Sequence, residues 1–81
     1  MIEVFITNIT KVYQVKNVIE RISKNFLGLQ IDYDLDETGL VFPCGHTVLR
    51  IEGNKIESEL ITILVNQLGF ECKIMPDTIC L

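Results

Sequence analysis

Hydrophobic and polar positions alternate over Ile2-Glu3-Val4-Phe5-Ile6-Thr7, which predicts a half-buried strand with Ile2, Val4 and Ile6 on one face. The period then changes. Val12, Val15, Val18, Ile19, Ile22 and Phe26 recur at helical spacing and predict a helix over about 11–25, with Thr10 as its cap and Gly28 as its stop. Alternation returns at Leu29, Ile31, Tyr33 and Leu35, set against Gln30, Asp32 and Asp34, for a second strand. Residues 36–46 carry the breakers Gly39, Pro43 and Gly45 and predict a long hairpin loop. Thr47 to Glu52 reads as a third strand with Leu49 and Ile51 inward. Asn54 and Glu57 have capping-box spacing ahead of a second helix, whose stripe is Ile56, Leu60, Ile63, Leu64 and Leu68 and whose stop is Gly69. Phe70 to Met75 predicts a last strand, closed by Pro76.

The order βαββαβ is that of a ferredoxin-like α+β sandwich, with two helices on one face of a four-stranded antiparallel sheet. One domain over 1–76 and a frayed tail over 77–81 are expected. In this topology the first strand–helix loop, the 36–46 hairpin and the turn at Gly69 share one end, where a site would be built.

Bulk properties narrow the function. A chain of 81 residues with 48% hydrophobic and 22% charged residues fits one globular domain of modest core. A net charge of −4 with scattered Lys and Arg argues against nucleic acid as a partner. No apolar run is long enough to span a membrane, and no signal peptide is recognisable. Three widely spaced cysteines predict no disulfide framework and a reducing, cytoplasmic setting.

At this point the chain resembles a heavy-metal-associated domain, the fold of small copper chaperones and metal-ATPase N-terminal modules. The likeness covers about residues 2–75. It is carried by Ile6-Thr7-Asn8-Ile9-Thr10, by Ile51-Glu52-Gly53-Asn54, and by Leu60, Leu64 and Leu68-Gly69-Phe70-Glu71-Cys72. The resemblance implies a metal loop of the form Met-x-Cys-x-x-Cys, whose thiolates suit soft cations at a helix start. Here Ile9-Thr10-Lys11-Val12-Tyr13-Gln14 stands in its place, with Lys11 and Gln14 at the two cysteine positions. An ammonium there opposes a cation. The scaffold carries over, together with a tendency to dock with similar domains; the metal function does not.

Other chemistry is sparse. Cys44-Gly45-His46 brings a thiol and an imidazole within two residues, a candidate relocated Zn or Cu(I) site that needs a third ligand. Asp32, Asp34, Asp36 and Gly39 suggest a calcium loop, but Glu37 and Pro43 stand where an EF-hand needs Gly and Glu, so strand alternation is the better reading. Asp32 and Asp34 then share the open sheet face with Arg50, and Phe5 and Val48 are expected there too. Cys72 alternates with Phe70 and Ile74 as a buried hydrophobe, and Cys80 is expected to be an incidental free thiol. One His and no nucleophile motif leave no catalytic triad. Phe5 alone among acidic neighbours does not make an RNA-binding sheet.

The expected function is a non-enzymatic binding or interaction domain with a degenerate metal loop and no cofactor. Its expected partner is another protein domain, and the chain is expected to be a monomer or weak homodimer. The alternative is a metal-binding protein or metallochaperone using Cys44 and His46.

Overall fold

A computed structural model of the chain, which describes residues 1–80, has the elements β1 (Ile2–Thr7), α1 (Val12–Asn25), β2 (Gln30–Asp34), β3 (Thr47–Glu52), α2 (Ser58–Gln67) and β4 (Cys72–Ile74). The four strands form one antiparallel sheet in the order β2-β3-β1-β4. This is the α+β, ferredoxin-like arrangement that the hydrophobic pattern predicts. Among the described residues no helix is long and apolar enough to cross a membrane.

Register assigns every strand residue to a face, because directly paired residues point the same way. Phe5 pairs with Leu49 and with Ile74, Glu3 with Ile51, and Ile51 with Ile31. Phe5, Leu49 and Ile51 are fully buried and pack in one cluster with Val15, Val18 and Ile22 of α1 and Ile61 and Val65 of α2. This is the helix-covered face. The opposite face carries Ile2, Val4 and Ile6 of β1, Val48 and Arg50 of β3, Asp32 and Asp34 of β2, and Lys73 of β4.

β1 is thus turned over relative to the sequence expectation: Phe5 is in the core, and Ile2, Val4 and Ile6 lie on the open face. Val4-Phe5-Ile6 is a continuous apolar run, so alternation does not choose a face within it. Size does: a fully buried Phe contributes about 1.5–3 kcal/mol, more than it would on a half-covered surface.

The helices begin later than predicted. Lys11, in extended conformation, is the N-cap of α1, while Thr10 is exposed and makes no cap. Glu57 is the N-cap of α2, so Asn54 stands outside the helix. α2 is also rotated: Ile61 and Val65 are buried, whereas Leu60 and Ile63 are each half exposed. Ile56, expected in the stripe, is buried ahead of the helix and packs into the same cluster. β4 is shorter than the Phe70–Met75 expectation, although the Met75 N–H continues its pairing by donating to the Val4 carbonyl at 2.9 Å.

Candidate functional site

The shared loop end is as the topology requires. Thr7 at the end of β1 pairs with Thr47 at the start of β3 and with Cys72 at the start of β4. A cleft of about 300 Å3 opens there, walled by 7–10 of the first loop, by Leu40, Phe42 and His46 of the hairpin, and by Glu71.

Its floor is pinned by hydrogen bonds. The buried Thr47 hydroxyl donates to the Ile9 carbonyl at 2.7 Å and accepts from the Asp36 N–H at 2.9 Å. The Thr7 hydroxyl donates to the Thr47 carbonyl at 3.1 Å. Asn8 and Glu71 exchange contacts, the Glu71 N–H donating to Asn8 Oδ1 at 2.9 Å. Among the described residues no buried side-chain polar atom lacks a partner.

Lys11 and Gln14, which the resemblance sets against the two cysteines, bond each other. The Lys11 N–H donates to Gln14 Oε1 at 3.2 Å, and the Gln14 N–H donates to the Lys11 carbonyl at 3.1 Å. This is the returning half of a capping box: a third-position side chain satisfies the N–H of the cap residue. What resembles a coordination loop is here a helix start.

The hairpin is stiff where the sequence suggested a calcium loop. Asp36 Oδ1 accepts from the Thr38 hydroxyl at 2.7 Å and from the Thr38 N–H at 3.0 Å. These bonds, the hydroxyl's first, hold the Asp36 carboxyl below the ordinary carboxylate range. Gly45 is needed at the base of the loop. A Cβ there would meet the Leu40 carbonyl oxygen, lie 2.8 Å from that carbonyl carbon, and come within 2.9 Å of Asp36 Oδ2.

Cys44 and Cys80 form a disulfide. This corrects the expectation that the cysteines make no bridge and that Cys80 is an incidental thiol, and it anchors the tail expected to fray. It also removes the cysteine argument for a reducing compartment. Cys44 and His46 do line one cleft, with Asp34, Asp36 and Val48. The Cys44 sulfur is bonded, however, and His46 Nδ1 faces the Pro43 carbonyl at 3.0 Å. Among the described residues no three His, Cys, Asp or Glu side chains are grouped to hold a metal ion. Cys72 is buried on the helix side, as expected, and burial pushes its thiol up to about 11.

The bridge determines the path of the tail. β4 is the sheet edge beyond β1, whereas Cys44 sits beside Val48 and Asp34 on the open face of β3 and β2. Residues 76–80 therefore cross β1 on the open face: they leave β4 level with Val4 and return toward the loop end while passing two strand spacings, about 10 Å sideways, against a reach of about 17 Å. The hairpin leans the same way, with Lys73 Nζ 5.6 Å from the centre of the Phe42 ring. Ile6, on the strand that the tail crosses, is fully buried yet lies outside the helix-side core. Further along, the face stays open: Ile2 is half exposed, and Arg50 and Asp32 form a loose surface pair at 3.9 Å.

Sequence reasoning missed Cys80. A usable signal exists: Cys72 is placed in the core by strand parity, while Cys44 and Cys80 both lie outside regular elements, which leaves those two as the only pair free to meet. No family model, no curated protein and no solved structure matches the chain.

Proposed function

We propose that this chain is a small non-enzymatic binding module, a ferredoxin-like scaffold of heavy-metal-associated type whose metal loop has lost its ligands, and that it meets another protein domain on the uncovered half of its sheet. The Lys11–Gln14 bond carries the reading, because it turns the two ligand positions into a helix cap. The uncovered half supplies the alternative surface. Val4 and Val48 are half-buried at its centre, and Asp32, Asp34 and Glu52 rim it around Arg50, with Lys73 away at the β4 edge of the same face. A partner that fits presents alternating apolar side chains with basic ones at the rim.

Two measurements test this. The double variant Lys11→Cys with Gln14→Cys is expected to gain one-to-one Cu(I) binding, and its failure would remove the lost-site claim. An acetylated peptide of alternating Lys and Val is expected to shift the amides of Val4, Asp32, Asp34, Val48 and Arg50, less so in high salt. Absence of those shifts, or equal shifts with a Glu–Val peptide, would sink the docking face.

The second reading rests on the shared cleft of Cys44 and His46. With its proton on Nδ1 toward Pro43, His46 keeps the Nε2 lone pair for a metal, and reduction would supply the Cys44 thiolate. It requires stoichiometric Zn or Cu(I) binding by the reduced chain that disappears in Cys44→Ala.

A further inference from the structure

We propose that the Cys44–Cys80 disulfide is a redox latch: it straps residues 75–80 across the open sheet face, and its reduction by a dithiol releases the strap and uncovers Ile6, which extends the surface of half-buried Val4 and Val48. The inference deepens the docking reading above and rests on it for the use of the uncovered surface; the release itself stands on the geometry of the strap.

One backbone hydrogen bond, Met75 N–H to the Val4 carbonyl, continues β4; beyond it the bridge ties Cys80 to the hairpin, and Met75, Pro76 and Ile79 are half-buried. Asp77 and Thr78 are exposed. Without a covalent tie, burial at Met75, Pro76, Ile79 and Ile6 must offset an ordering entropy of about 1–2 kcal/mol per residue. The domain beneath does not depend on it in the same way. The helix-side core of Phe5, Leu49, Ile51, Val18 and Ile61 lies on the other side of the sheet.

The chemistry is confined to two sulfurs. Cys80 is exposed and Cys44 half-buried, so the exchange is written with attack at Cys80. A thiolate of the dithiol attacks Cys80 Sγ, and Cys44 leaves as thiolate and takes a proton. The second thiol of the reductant then displaces Cys80, closing a disulfide on the reductant. Two electrons pass from the dithiol to the bridge, and two protein thiols result. Cys72 does not enter this exchange. It sits on the helix-covered face, with its thiol neutral at physiological pH and bonded to Thr62. The switch has two states and no scrambled third.

The test uses 13C-methyl-labelled protein and a soluble neutral gadolinium chelate, which relaxes only solvent-accessible methyls. In the oxidised chain Ile6 should be as protected as Val18. After dithiothreitol, and equally in Cys44→Ser with Cys80→Ser without reductant, Ile6 and Ile79 should rise toward the level of exposed Ile63 while Val18 stays protected. If Ile6 stays protected in both, the bridge is a staple on a face that is closed anyway. If Val18 rises as well, the bridge holds the fold together and is no latch. The Lys–Val peptide titration, repeated in both redox states, separates the two claims. Release without peptide shifts leaves the latch standing and removes the docking face. Shifts without release do the reverse.

Discussion

The Thr47 hydroxyl donates to the Ile9 carbonyl at 2.7 Å and so joins the first residue of β3 to the loop that follows β1. The same oxygen accepts the Asp36 N–H, so one side chain ties two connections, the first loop and the hairpin, at the loop end. Thr47→Val keeps the shape and strands a buried carbonyl and a part-buried N–H. It should cost about 1–3 kcal/mol, while Thr47→Ser should recover most of the loss. Urea midpoints at unchanged m-value measure both, and equal losses for Val and Ser would assign the effect to packing instead.

The orientation of β1 is open to direct test. Phe5→Ala should cost about 3–5 kcal/mol, whereas Val4→Ala, on the opposite face, should cost about 1 kcal/mol. The reverse order in chemical denaturation would restore the arrangement that simple alternation favoured.

Gly45 is constrained by space, not by its backbone angle. Gly45→Ala drives a Cβ into the Leu40 carbonyl and the Asp36 carboxylate, and the chain must shift; a loss of about 1–3 kcal/mol is expected. Amide shifts should spread from residue 36 to residue 46. A thermal midpoint equal to that of the parent would show that the hairpin gives way freely.

Cys72 gives a pH dependence with a definite sign. Its folded pKa, about 11, lies above the reference 9.0, because burial disfavours the thiolate. The folded state then binds the proton more tightly than the unfolded chain. This contribution is whole below about pH 9 and declines as pH rises toward 11. Thiolate absorbance of the native protein, taken as a difference from Cys72→Ala, should titrate near 11. A native titration near 9 would mean that the thiol is not desolvated.

Closure of the bridge should itself matter. Its sequence separation of 36 corresponds, through chain entropy, to about 4 kcal/mol relative to the open chain. The urea midpoint of Cys44→Ser with Cys80→Ser should fall accordingly, and an unchanged midpoint would show that the tail constrains nothing in the unfolded state.

Much of the architecture is readable from the chain, for identifiable reasons. Val15, Val18 and Ile22 repeat at helical spacing on a helix whose other face is polar, so α1 is legible. Leu49 and Ile51 alternate with Arg50 between them, so β3 is as well. The reading fails where the pattern is degenerate. Val4-Phe5-Ile6 is apolar at both parities, and α2 has apolar residues on nearly every side, so neither orientation follows from spacing alone. At the site, the absence of cysteine at positions 11 and 14 is plain in the sequence, whereas the bond between Lys11 and Gln14 depends on the backbone conformation of the helix start. The partnership of Cys44 with Cys80 depends on the tail crossing β1, a long-range relation that no local pattern encodes.

That crossing has a topological consequence. From Cys44 the chain runs along β3, over the helix side through α2, down β4 and back beneath the sheet to Cys80, where the disulfide closes a covalent ring. β1 lies between β3 and β4, with α2 above and the tail below, so the first strand is threaded through that ring. While the bridge is intact β1 can be withdrawn only lengthwise, never lifted out sideways. An invading strand cannot displace it sideways, and two copies cannot exchange their first strands by that route, until the sulfur–sulfur bond is cut.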